Sequence, residues 1–162
     1  MTERGPIYIA VCGPGVATEA EEAWAEEIGR LLAGAGAVVV CGGMTGVMDA
    51  VARGAEAEGG VSIGILPTRD RAGAGPHLTY AIPTGMGETR NALVVRAADA
   101  VIAITGEFGT LSEIAFALKI GIPVVGLATW ELHRRGEWVQ AFPMAGTPAE
   151  AVAVALRLAQ PG

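Results

Sequence analysis

The sequence is poor in aromatic residues, cysteine and positive charge. Only 5% of its 162 residues are aromatic, so a core has to be built mainly from Val, Ile, Leu and Ala. Its two cysteines, Cys12 and Cys41, are too few for a disulfide scaffold and have no metal-ligand spacing. That excludes a small stapled secreted fold and fits a reducing cytoplasm, with both thiols read as buried and inert. The formal net charge of −6 argues against general nucleic-acid binding, which needs a basic surface to displace counterions. A small anionic ligand stays open, because local backbone N–H groups can hold a phosphate. No run is long and apolar enough to span a membrane. MTERGP has mixed charge and is followed by an apolar run that Gly13-Pro14-Gly15 interrupts, unlike a signal peptide. His77 and His133 stand isolated, so no metal site is expected.

What is present is a folding composition. Hydrophobic residues make up 51% and charged residues 17%, and the length suits one domain over residues 1–162 with a proper core. Short apolar runs alternate with helical patterns. Strands are predicted at Ile7–Cys12, Ala37–Cys41, Val61–Leu66, Thr79–Ile82, Asp99–Ile104 and Pro123–Leu127. Helices are predicted at Thr18–Ala33, Val47–Glu58, Met86–Ala97, Thr110–Ile120 and Thr147–Ala159. The first helix carries Trp24, Ile28, Leu31 and Leu32 on one stripe, and Pro148 sits at a favourable first-turn position of the last. Residues 67–78 have turn chemistry and no period, which suggests a long loop with the character of a lid. Its Arg69 and Arg71 are candidates to close over a phosphate. Alternating strands and helices, with strands apolar throughout, imply an α/β fold: a doubly wound, mostly parallel sheet with helices on both faces.

The glycines sort by position. Gly34, Gly36, Gly59, Gly60 and Gly121 follow helices and end them. Gly13, Gly15, Gly42, Gly43, Gly46, Gly85, Gly87, Gly106 and Gly109 follow strands. In a parallel sheet the carboxyl ends of the strands share one edge, where doubly wound proteins bind ligands. Four glycine-bearing loops converging there predict a phosphate or nucleotide cleft, with Gly13, Gly42, Gly43, Gly46, Gly85, Gly106 and Gly109 as its binding residues. Helices beginning near Gly46, Gly87 and Gly109 would point free N–H groups at it. Neither CGGMTG nor GPG matches a P-loop or a dinucleotide fingerprint, so a standard NAD site is not indicated. Arg90 stands in the first turns of its helix, near the face marked by Leu93, Val94 and Ala97. A cation is unfavourable at a helix N-terminus, which favours an anionic partner over a surface ion pair with Glu88 or Asp49. Thr110-Leu-Ser-Glu113 also matches a capping box, which by itself accounts for both residues without function.

CGGMTGVMDAVARGA, SIGILP, PTGMGETRN and ADAVIAITGEFGTLSEIAFALKIGIPVVGL, taken in order, resemble the Lonely Guy and lysine decarboxylase-like group of Rossmann-like proteins. They are most similar to its short subgroup, which is akin to molybdenum-cofactor carrier proteins. The resemblance runs from the first predicted strand to the sixth. It implies a Rossmann-like nucleotide-binding domain that forms a homodimer or larger homo-oligomer. Its ligand would be AMP, another nucleoside monophosphate or a molybdopterin-type cofactor, with no cofactor required. Lonely Guy enzymes cleave the N-glycosidic bond of nucleoside 5′-monophosphates, and their signature is PGGxGTxxE with an upstream Arg-Lys. Glu113 matches the catalytic Glu, Arg90 the Arg, and Gly106, Gly109 and Thr110 the phosphate loop. Thr105 replaces the signature proline, Glu107 its second glycine and Asn91 the lysine. No lysine offers a pyridoxal-phosphate site in context, so decarboxylation is not expected. Two functions follow: a binding protein for a nucleotide or phosphorylated cofactor, or a phosphoribohydrolase.

Overall fold

The computed structural model describes residues 5–160, so most of MTERGP lies outside the described residues. Nine strands and five helices follow in order among them. They are β1 (Tyr8–Cys12), α1 (Glu19–Gly34), β2 (Val38–Cys41), α2 (Val47–Ala57), β3 (Val61–Leu66), β4 (Tyr80–Pro83), α3 (Asn91–Arg96), β5 (Ala100–Ile104) and α4 (Phe108–Ile120). The chain continues through β6 (Val124–Leu127), β7 (Leu132–Arg134), β8 (Glu137–Val139), β9 (Met144–Ala145) and α5 (Pro148–Leu158).

Seven strands form one sheet in the order β4-β3-β2-β1-β5-β6-β9, and every pairing is parallel. The predicted α/β doubly wound fold is therefore the observed one. From β1 the chain winds outward through β2, β3 and β4, then returns to place β5 on the other flank of β1. The direction of winding reverses between β1 and β5, and there the loops leaving the two strands diverge.

Side chains alternate across each strand, and the two faces are covered by different helices. Ile9, Val11, Val39, Cys41, Ile102 and Ile104 pack with α1, α2 and α5. Ala10, Cys12, Val40, Val101 and Ala103 pack with α3 and α4. The two buried cysteines are free and belong to opposite faces, so they cannot bridge across the sheet.

Several elements differ from expectation for local reasons. The predicted Met86–Ala97 helix is a 3₁₀ turn, Gly87–Arg90, running into the short α3. Val94, Val95 and Ala98 are its buried positions, whereas Leu93 and Ala97 are exposed. In α1 the buried face is Ala25, Ile28, Gly29 and Leu32, and Leu31 is exposed. That helix opens with a capping box, Thr18 with Glu21. Residues 67–78 are tied down: Gly75 N donates to Gly43 O at 2.9 Å, and Arg71 Nε to Ala81 O at 2.9 Å. Arg71 is thus engaged on the edge strand instead of poised over a phosphate. His77 Nδ1 lies 2.6 Å from Glu56 Oε2. The β7–β8 hairpin turns through Arg135 and Gly136, both at positive φ; its short strands carried no periodic signal.

The α1–α2 contact depends on two glycines. A Cβ on Gly29 would lie 2.1 Å from Val51 O, and one on Gly54 would lie 2.0 Å from Glu26 O. Backbone therefore packs on backbone. Alanine in a helix interior normally gains about 1 kcal/mol over glycine. Here overpacking wins, and Gly29→Ala should destabilise the protein by about 1–3 kcal/mol. Gly34→Ala, where a Cβ meets nothing within 4 Å, should change stability by no more than about 1 kcal/mol. Urea denaturation of both variants checks the contrast; equal midpoints would show that the helices separate freely.

Candidate functional site

A cleft of about 790 Å³ opens where β1 and β5 diverge. Its walls come from the loop after β1 (Gly13, Pro14, Gly15, Val16), the loop after β2 (Gly42, Thr45), the loop after β5 (Thr105, Gly106, Glu107) and Gly109 in the first turn of α4. Arg90, Asn91, Thr110, Glu113 and Glu21 complete it. Of the predicted site residues, the fold gathers Gly13, Gly42, Arg90, Gly106, Gly109, Thr110 and Glu113. Gly43, Gly46 and Gly85 do not line it. Gly43 packs on Leu66 and Gly64, and Gly85 makes a positive-φ turn next to Arg69. Gly46, at φ 64, lets the start of α2 meet the backbone of Pro14 and Gly15.

The lining glycines mostly make room for protein atoms. A Cβ on Gly42 would lie 2.7 Å from Arg90 Nη2, and one on Gly106 would lie 2.3 Å from Thr110 Cβ. Gly42 therefore admits the guanidinium, and Gly106, at φ 102, admits the first turn of α4. Thr105 stands at φ 40, a left-handed conformation that is costly for a β-branched residue. A proline ring, fixed near −65°, cannot adopt it, so threonine in place of the signature proline goes with this shape of the loop.

Helix α4 begins at Phe108, two residues earlier than predicted. Its N-cap is Glu107, whose side chain makes no capping bond. Thr110 is buried in the first turn and is not the cap. The capping box that the TLSE pattern allows is absent, and the first N–H groups of α4 have no side-chain cap. By contrast, α1 is closed by Thr18 and Glu21, and Val47 N at the start of α2 donates to Pro14 O at 3.1 Å. The N-terminus of α4 is thus the one best able to receive an anion.

Arg90 reaches the cleft from the 3₁₀ turn. Its Nε donates to Ile65 O at 2.9 Å, Nη2 approaches Gly42 O at 3.4 Å, and Nη1 donates to Asn91 Oδ1. These acceptors are neutral, and Arg90 makes no salt bridge to a carboxylate among the described residues. Neither Glu88 nor Asp49 pairs with it. Asn91 Nδ2 lies 3.9 Å from the position a Cβ on Gly109 would take, so the Arg90–Asn91 pair borders the start of α4.

Glu113 is 7% exposed yet lines the cleft. Burial pushes its carboxyl up from 4.5 to about 7, against the Cys12 thiol, which donates a hydrogen bond, and the Arg90 charge, both of which favour the ionised form. Burial and the nearby Glu113 raise the Cys12 thiol well above its ordinary value, so it stays protonated as a donor. Sequence reasoning missed Cys12 as a cleft residue. It also missed Glu21 and Asn91 as members of the lining; the strand register that puts Cys12 at the end of β1 was the available signal.

The cleft lies at the switch point of a Rossmann-like sheet, the place where sheets of this class bind ligands. A model of the SLOG cluster4 family matches residues 6–152, and the chain belongs to that family. An uncharacterized protein of Archaeoglobus fulgidus is 41% identical over 121 residues, covering 75% of this chain and 80% of that protein. The molybdenum cofactor binding protein of Rippkaea orientalis superposes with a TM-score of 0.87 at 31% identity, over 98% of this chain and 100% of that one. The molybdenum cofactor carrier protein of Chlamydomonas reinhardtii superposes with a TM-score of 0.80 at 30% identity, over 94% and 98%.

The raised carboxyl has a consequence for stability. Between pH 4.5 and about 7 the native state holds a proton at Glu113 that the unfolded chain has lost. Its contribution to stability therefore falls as pH rises through that window and is flat outside it. Glu113→Gln removes this cost. The variant should match the wild type near pH 4.5 and exceed it at pH 8 by on the order of 1–3 kcal/mol. Thermal or urea unfolding across pH tests this; a variant weaker than wild type at pH 8 would mean that the fold depends on the charge.

Proposed function

We propose that this protein binds a phosphorylated, nucleotide-sized cofactor of the molybdopterin type in the cleft between β1 and β5, and holds it without chemical change. The observation that carries this reading is the pairing of two unmatched positive features: the uncapped N-terminus of α4 and the Arg90 guanidinium, which contacts only neutral acceptors. Together they suit a phosphate. The cavity of about 790 Å³ is within the range of ligand pockets. Similarity to a molybdenum cofactor binding protein and a carrier protein supports the same ligand class.

The donor set fits such a group. The α4 N–H groups and Arg90 would hold its phosphate, while Asn91 and the carboxylates of the lining offer partners for a polar ring. Among the described residues no three His, Cys, Asp or Glu side chains cluster as a metal site. The metal of the cofactor would travel as part of the cargo.

The test is direct. The purified protein, mixed with cofactor released from a molybdoenzyme, should co-elute with molybdenum and pterin on gel filtration and bind AMP saturably in calorimetry. Arg90→Lys should weaken AMP binding by about tenfold, the scale of a lost charge-assisted hydrogen bond. Absence of saturable binding to either ligand would overturn the reading.

Glu113 favours a second reading, resemblance to the Lonely Guy phosphoribohydrolases. A buried carboxyl that titrates near neutrality, close to an arginine, suits glycosidic cleavage through an oxocarbenium-like state. The C1′–N bond would break, water oxygen would bond to C1′, and the departing base would take a proton. Glu113 would stabilise the ribosyl cation or activate the water, and Arg90 would hold Glu113 or the ribose. Incubation with a panel of nucleoside monophosphates, followed by chromatography for free base, separates the two functions. Base release abolished by Glu113→Gln would establish hydrolysis. Saturable binding with no base released would exclude it for that panel, and base release gained in Glu107→Gly would place the block in the loop.

A further inference from the structure

The cleft has two chemically different ends. At one, Arg90 and Asn91 border the start of α4 and Gly42. Arg90 meets the ends of β2 and β3 through Gly42 O and Ile65 O, whereas Glu107, at the other, follows β5 and its carbonyl is held by Trp130, which follows β6; Glu21, which caps α1, lines the same cleft. Three carboxyl groups line the cleft, Glu21, Glu107 and Glu113, against one arginine. A ligand that is only anionic answers half of this surface. A second group with hydrogen-bond donors is needed for the rest.

Two further features point to that group. Glu113 is 7% exposed, lines the cleft and pairs with no cation among the described residues. Glu107 neither caps α4 nor pairs with a cation among the described residues. Its backbone is fixed: Trp130 Nε1 donates to Glu107 O at 3.3 Å, and the Trp130 ring packs at 5.8 Å from Phe108. Glu107 therefore brings an unpaired carboxylate to the lining of the cleft, a group that accepts hydrogen bonds from the edge of a heterocycle.

We infer that the acidic end of the cleft, with Glu107 as its principal residue, selects a 2-amino-4-oxo heterocycle of the guanine or pterin type. This rests on the phosphate-binding reading above. Such a ring presents two adjacent N–H donors that a carboxylate accepts together. The corresponding edge of adenine presents one donor and one acceptor, and its ring nitrogen lone pair would face the carboxylate. A hypoxanthine ring keeps the N–H and loses the amino group. Glutamate where the resemblance expects glycine thus becomes a specificity element.

The test compares GMP, IMP, AMP and ribose 5-phosphate by calorimetry on the full chain at one salt concentration. GMP should bind about tenfold or more tightly than AMP and IMP, within the discrimination that one bidentate edge contact provides. In Glu107→Gln the ratio of AMP to GMP dissociation constants should fall toward one. AMP binding as tightly as GMP would overturn the inference and leave phosphate binding standing, as would a GMP preference that survives Glu107→Gln. Failure of all four ligands to bind would overturn the phosphate reading itself. Matching circular dichroism spectra and melting temperatures exclude misfolding as the cause of any change.

Discussion

The hydrogen bonding of β1 to β2 on one side and to β5 on the other governs the rest of the molecule. Ile9 pairs with Val39 and with Ala100; Ala10 pairs with Val40 and with Val101. Because β1 is the centre from which the chain winds both ways, the loops leaving β1 and β5 must part. The crevice follows from topology and needs no special residue. The residues decide what the crevice contains. Gly13 lets the end of β1 sit under Val47 and Ile104 O, and Gly46 lets α2 start against Pro14. Those contacts hold the loops back and leave the α4 N-terminus facing the opening.

That arrangement makes the cleft electrostatically mixed. The same face of the sheet that seats α4 buries Cys12 and Glu113 beneath the cleft. Desolvation opposes ionisation there, and the Arg90 charge and the Cys12 donor oppose desolvation. Desolvation is the larger effect, so the carboxyl is held near neutrality. A protonated Glu113 removes one negative charge from beneath a bound phosphate. An ionised Glu113 would stabilise a cation above it. Holding and hydrolysing are therefore two uses of one side chain, and the balance depends on what occupies the α4 N-terminus.

Much of this was legible in the sequence because parallel strands buried on both faces are apolar throughout. IYIAVC, AVVVC and DAVIAI could be recognised as buried strands from that signal alone. Glycines after strands were recognised as a group, yet their individual roles were not. A glycine that cradles a ligand and one that admits a neighbouring side chain have the same local sequence. Gly42 and Gly43 are adjacent, and one makes room for Arg90 while the other packs on Leu66. The start of α4 was misplaced because TLSE satisfies the capping pattern on its own. Tertiary structure overrode that pattern: Thr110 is drawn into the turn against Gly106, and its hydroxyl is not available as a cap. Short strands were missed for a different reason. Three residues, as in β7 and β8, are too few to show a period of two.

The departures from the Lonely Guy signature make physical sense as a set. Thr105 at φ 40 excludes proline. With that bend, the next residues enter α4 at Phe108, and Glu107 falls at the N-cap in extended conformation (φ −98, ψ −159). Glycine is not required by that geometry, so a side chain is tolerated there. A carboxylate near a helix N-terminus is favoured by the dipole, which also makes it a competitor for any phosphate bound at the same place. The competition eases if the ligand meets Glu107 with hydrogen-bond donors while its phosphate lies toward Arg90. Backbone strain at one residue, the identity of the next and the polarity of the whole cleft are thereby linked.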